Sequence, residues 1–288
     1  MPLFRGAIPS PRHKLASATP FRPISGLLQT MPTVFGCVPP QTSAFGNTSY
    51  GDCVSAQTGA SLQAYPMWYG PGTEIGVSDS DVLNFARSHG ILNGAVITDV
   101  MEIMQTEGMA VSATRLIYKE GPYKAVDWTN WSVLSAAIYQ GPVNISVAAN
   151  QIENAFSDKN GWWGYGWTKD SNQDHCVPLF GFGSAADLAA LLKVTIPSGV
   201  SATDLAVLLR TWGYIGIVLY DALLAVMTDG EAWLRTPTTV GVTPPQPAPP
   251  TPPTPVPPTP TPSTGVIYID TEAQAISLPP GWSVVPTP

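Results

Sequence analysis

The chain has 288 residues, of which 44% are apolar and only 11% charged, so it can bury a full core in one or two domains. A net charge of −7 with 13 Lys and Arg excludes nucleic-acid binding, because too few cations exist to neutralise a run of phosphates. Cys37, Cys53 and Cys176 have no short-spaced pair, which excludes a disulfide framework and a zinc site. No stretch approaches the roughly 20 apolar residues of a membrane span, so no membrane insertion is expected. Met1–Phe21 lacks an apolar core of signal-peptide length. The low charge and the many Gly, Pro, Thr and Trp lean towards an extracellular, surface or particle-associated protein.

In chain order, residues 1–45 are punctuated by Pro and read as an extended, mostly irregular strap. Residues 46–240 carry the periodic signals of the main body. Val54–Tyr65 reads as a helix. Asp79–His89 is a second, with Val82, Phe85 and Ala86 on its apolar face and a stop at Gly90. Thr98–Glu107 is a third, burying Val100, Met101 and Met104 and ending at Gly108. Trp131–Gln140 is a short helix broken at Gly141-Pro142. Strands follow at Val143–Ala148, Cys176–Phe182 and Leu205–Leu209, with a short helix at Asp187–Leu192 between the last two. Helices first and strands later is an α+β order. From Pro244 to Pro262 the sequence reads as a polyproline II spacer within a linker at 241–264, on the order of 60 Å if extended. The segment 265–288 carries two short strands, Val266–Ile269 and Ala275–Leu278, then Trp282. It is too small to be stable alone, so it is expected to dock on a neighbouring protein chain with Trp282 as anchor.

Two places carry chemistry. Cys53 follows the polar loop Gly46–Asp52 and opens the first body helix, where unsatisfied N–H groups and the helix dipole favour a thiolate. His175 stands at the start of the apolar run Val177–Phe182, and an imidazole there suits a general base for a thiol. Cys37 and Cys176 read as small buried residues, Cys176 pointing away from the cleft because adjacent strand residues face opposite sides. His13 and His89 read as surface residues. The cluster Trp162-Trp163 with Trp167 either lines a cleft or packs in the core.

Seven segments in order resemble the papain-like (C1-type) cysteine peptidases over residues 33–235. Asn47–Cys53 resembles that family's oxyanion-to-nucleophile loop, and Val77–Leu83 its following helix start. Asn93-Gly94-Ala95 with Asp99–Gly108, Gly121-Pro122-Tyr123 and Gly141–Val147 match three further motifs. Asp174–Gly183 is similar to the histidine strand, and Thr211-Trp212-Gly213 with Gly216-Ile217 to the tryptophan-glycine motif that follows it in the family. The resemblance implies a papain-like two-lobed α+β fold, a helical lobe then an antiparallel β lobe. It also implies Cys53 as nucleophile, His175 as base, Asn47 as oxyanion donor and Gly94 as backbone contact for an extended peptide. Trp212 would shield His175. No cofactor or metal is implied.

Three departures mark a divergent member. Asn47 is one methylene shorter than the family's Gln. Arg210 stands where Asn would orient the imidazole, and a guanidinium has no acceptor for a ring N–H, so Thr211 is the possible orienter. The stretch Ser184–Ala202 is extra. Only 52 residues precede Cys53, fewer than the family's long propeptide needs. The leading expectation is a cysteine peptidase or amidase acting on a peptide or protein substrate. The rival is a catalytically degenerate domain, a structural or binding module on a virion or cell surface.

Overall fold

The computed structural model describes residues 3–24, 26–40, 43–69 and 74–238, and the backbone of 266–269 and 283–286. Two compact units divide the chain, Met1–Ala248 and Pro249–Pro288. The strap carries β1 (Ala7–Ile8), α1 (Arg12–Ser17), α2 (Leu27–Thr30) and β2 (Phe35–Gly36), so it is less irregular than its prolines suggest. Then come α3 (Cys53–Tyr69), α4 (Asp79–Ser88), β3 (Ala95–Val96), α5 (Ile97–Thr106), β4 (Met109–Val111), β5 (Leu116–Glu120), β6 (Lys124–Ala125) and α6 (Trp131–Gln140). The second half has β7 (Val143–Val147), α7 (Ala149–Ala155), β8 (Trp162–Gly164), β9 (His175–Ser184), α8 (Ala185–Leu192) and β10 (Leu205–Thr211). It ends with β11 (Tyr214–Leu219), α9 (Tyr220–Val226), β12 (Ala232–Leu234) and β13 (Pro237–Thr238).

Local chemistry fixes the boundaries. Ser78 and Asp81 form a reciprocal capping box that starts α4. Asn130 caps α6 and Ser184 caps α8 through side-chain oxygens. Helix α3 runs on to Tyr69, four residues past the expected Tyr65, because Pro66 does not stop it. Its last turn is fastened instead by Trp68 Nε1 donating to the Ile138 carbonyl at 2.8 Å, and by the Tyr69 hydroxyl donating to Gln140.

Among the described residues, the main sheet has eight strands in the order β6-β12-β7-β9-β10-β11-β8, with β2 added on β9. All its pairings are antiparallel except β11 with β8. The two faces of the sheet close two cores. Cys176, Phe180, Ala206 and Leu208 pack with α3, α4 and α5. Val177, Leu179, Val207 and Leu209 pack with α6, α7 and α9. The period of two along β9 and β10 is therefore visible in the cores themselves.

Within the second unit, β14 (Val266–Ile269) pairs parallel with β15 (Ser283–Pro286). The partner strand of Val266–Ile269 thus falls after Trp282. Ala275–Leu278, Trp282 and the spacer Pro244–Pro262 lie outside the described residues. Among the described residues, no helix is long and apolar enough to cross a membrane.

Candidate active site

Cys53 is the first residue of α3 and is buried, 1% exposed. The loop before it turns tightly: Gly46 has φ +95°, and a side chain there would collide with Leu83 and Asp52. That turn brings the Asn47 amide inward, where Nδ2 donates to the Tyr50 carbonyl at 3.1 Å.

His175 opens β9. Its Nε2 lies 2.8 Å from the Thr211 hydroxyl, and its ring stacks on Trp212 with centroids 4.6 Å apart at 14°. Nδ1 is enclosed without a partner, the Cys53 thiol included. With Nε2–H donating to Thr211, Nδ1 is the ring nitrogen left with a free lone pair.

Strand alternation explains the neighbouring residues. Thr211 shares a sheet face with Leu209 and His175, whereas Arg210 shares the α3 face with Leu208. Arg210 donates to Gln63 Oε1 at 2.7 Å and to the Ser43 carbonyl at 3.2 Å, and its guanidinium lies over Phe45 and Phe180. Burial holds it down at about 10. Arg210 therefore ties α3 to the loop before Cys53. Cys176 departs from expectation. It alternates with His175 as foreseen, but the face it occupies is that of α3, and it lines the same pocket as Cys53, Gln57 and Arg210. That pocket measures about 20 Å³, room for about one water.

The cleft is occupied by the strap. The Asn47 amide and the Trp212 indole both donate to the Phe4 carbonyl, at 3.2 and 3.4 Å. The N–H groups of Gly6 and Ala7 donate to the Asp174 carbonyl, and the Gly6 carbonyl accepts from Ala95 N, which follows Gly94. β1 then runs parallel to β3. Burial pushes the Cys53 thiol up to about 12, outweighing the backbone N–H groups of Cys176 and Gly6 that face it. Burial, aided by the charge of Arg5, holds His175 down at about 3. In this form both groups are neutral at pH 7.

Phe4, Arg5, Gly6 and Asp174 were not legible as site residues. The first three carry no periodic signal, and Asp174 entered only as the first residue of the histidine-strand resemblance. Their one sequence cue is the Arg-Gly pair near the start of the Pro-rich strap.

No known family's sequence pattern matches the chain, and no curated protein matches it. Solved structures do. Xylellain, a cysteine protease from Xylella fastidiosa, is 15% identical with a TM-score of 0.52, covering 81% of this chain and 96% of its own. A recombinant stem bromelain precursor is 14% identical at TM-score 0.56, covering 81% of this chain and 77% of its own. Digestive procathepsin L 3 of Tenebrio molitor larval midgut is 13% identical at TM-score 0.56, covering 76% and 74%. The chain has the fold of the papain-like cysteine proteases.

Proposed function

We propose that the chain is a papain-like cysteine peptidase or amidase whose working pair is Cys53 and His175. The observation that carries the reading is the Phe4 carbonyl, held by the Asn47 amide and the Trp212 indole while the Gly6 N–H faces the Cys53 thiol. A groove that grips a backbone carbonyl in this way supports a peptide as its ligand. In a substrate complex, His175 Nδ1 takes the Cys53 proton and Sγ adds to the amide carbon. The oxyanion rests on the Cys53 N–H and the Asn47 amide. The imidazolium returns the proton to the leaving amine as the C–N bond breaks and a thioester forms. Water, deprotonated by His175, then cleaves the thioester to a carboxylic acid and the free thiol. Thr211 holds the ring in the required tautomer, and Gly94 lies beside the bound backbone.

A second reading draws on the filled cleft and on Arg210 in place of an orienting Asn: a degenerate domain serving as a structural or binding module on a virion or cell surface. In either reading the tail is proposed to dock on a neighbouring chain outside the cell or on a particle.

Casein hydrolysis tests the choice. Cys53→Ala and His175→Ala should reduce it to background, and Thr211→Val should lower kcat on the order of tenfold or more with little change in KM. Hydrolysis that survives Cys53→Ala would assign it to another site and favour the module.

A further inference from the structure

The mechanism uses the Cys53 thiol and gives no task to a second thiol beside it. Cys176 follows His175 on β9, so the alternation that sends the imidazole to one face sends this side chain to the other, towards α3. Cys53 heads α3 on that same side, and the two buried cysteines line one pocket with Gln57 and Arg210. The approach is close. The Cys176 N–H faces the Cys53 sulfur, and the two thiols act on each other electrostatically. The N and Cβ of Cys176 share one Cα, so a sulfur held at that N–H is also held near the Cβ that carries the second sulfur. Cys37 is placed differently. Its N–H bonds to the Phe180 carbonyl, four residues and therefore about 13 Å further along β9 than Cys176. That exceeds the roughly 4–7 Å between Cα atoms that a disulfide spans.

We infer that Cys176 is a resolving thiol for Cys53: once a hydroperoxide oxidises Cys53, the two sulfurs close a reversible disulfide. Its effect on hydrolysis rests on the peptidase reading, while the bridge itself does not. In the first step the Cys53 sulfur, as thiolate, attacks one oxygen of the hydroperoxide. The S–O bond forms as the O–O bond breaks, and the leaving oxygen takes up the proton that Cys53 gave up, which yields a sulfenic acid and an alcohol, or water from hydrogen peroxide. In the second step the Cys176 sulfur attacks the Cys53 sulfur. The S–S bond forms, the S–O bond breaks, and hydroxide leaves with the Cys176 proton as water. Two thiols lose two electrons and one hydroperoxide gains them. The pocket of about 20 Å³ has room for the one water released. With Cys176 removed, no other thiol is in reach, and further peroxide carries the sulfenic acid to an irreversible sulfinic acid.

The test treats the full-length protein with hydrogen peroxide at pH 7.5. Burial raises both thiols above their ordinary range, so the reaction is followed over hours. Remaining thiols are alkylated under denaturing conditions and the chain is digested without reductant. Mass spectrometry should find the Cys53 and Cys176 peptides joined, Cys37 alkylated, and the bridge lost on adding dithiothreitol. In Cys176→Ala the Cys53 thiol recovered by dithiothreitol should fall about tenfold below wild type, with sulfinic acid in its place. A bridge that includes Cys37, or equal recovery in wild type and Cys176→Ala, overturns the inference. Should peroxide leave all three thiols untouched, refolding from guanidinium in a glutathione redox buffer decides. The Cys53–Cys176 bridge should form in the refolded protein, and its absence there, with native circular dichroism regained, overturns the inference as well. A bridge in a protein that, once reduced, does not hydrolyse casein leaves the resolving role standing and removes the peptidase reading. Hydrolysis without a bridge does the reverse.

Discussion

The two ends of α3 are both buried, and they treat polar groups in opposite ways. From Thr58 to Tyr69 its polar side chains find partners. Arg235 Nη1 donates to Thr58 Oγ1 at 2.8 Å and Arg235 Nε to Glu120 Oε2 at 2.6 Å, while the Tyr65 hydroxyl donates to Glu120 Oε1 at 2.6 Å. At the N-terminal end both oxygens of Asp52, Ser55 Oγ and Gln57 Oε1 are enclosed without a well-aligned partner, and across the cleft so is His175 Nδ1. An unpaired buried polar group costs roughly 1–3 kcal/mol. A fold tolerates that where the groups have another use, and the paired end supplies the rigidity that holds them in place.

The largest test of this contrast is at the paired end. Arg235→Met leaves the Glu120 carboxylate buried without its cation and should cost about 3–5 kcal/mol, measured by urea denaturation. Adding Glu120→Gln removes the stranded charge, keeps an acceptor for Tyr65, and should recover much of the loss. A single variant costing under ~1 kcal/mol would mean that the pair does not hold this end together.

The next effect is at the cleft end and depends on pH. Burial lifts Asp52 from its ordinary 3.8 to about 7, with the Asn47 amide and a backbone N–H offsetting only part of the rise. The folded chain thus holds this proton more tightly than the unfolded chain. That contribution is complete below pH 3.8 and is lost as pH rises through about 7. His175 has the opposite sign: its folded value near 3 lies below the ordinary 6.5, so its contribution is complete above 6.5 and is lost as pH falls towards 3. Asp52→Asn should therefore raise Tm over wild type by on the order of 5 °C at pH 8, and far less at pH 4. Equal shifts at both pH values would place the effect in packing rather than in ionisation.

The sequence made the paired end harder to read than the cleft end. Cys53, Asn47 and His175 stood in recognisable local settings, a loop ahead of a helix and the head of an apolar strand. Helices α4, α5 and α6 announced themselves through caps, glycine stops and periodicity. The Glu120–Arg235 pair joins the end of β5 to the residue after β12, and nothing local links positions so far apart in the chain. Strands β11 and β12 were passed over because Tyr214–Leu219 and Ala232–Leu234 are short and run straight into or out of neighbouring elements. Arg210 shows the limit of motif matching. Its place in the order is that of the imidazole's orienter, but only side-chain chemistry moved that role to Thr211, and strand alternation turns Arg210 to the α3 face.

The smallest test compares two hydroxyls on α3 itself, one turn apart. Ser55 Oγ has no partner, whereas Thr58 Oγ1 donates to the Val54 carbonyl at 2.8 Å and accepts from Arg235 at 2.8 Å. Removing an unsatisfied hydroxyl removes a desolvation cost, and Ala is the better helix former, so Ser55→Ala should be neutral or stabilising by a few tenths of a kcal/mol. Thr58→Val keeps the shape but strips an acceptor from a buried cation, which should cost about 1.5–3 kcal/mol. Urea midpoints at pH 7 rank the two directly. Should Ser55→Ala prove the more damaging, its hydroxyl has a partner such as a buried water, and the contrast between the two ends of the helix would vanish at this position.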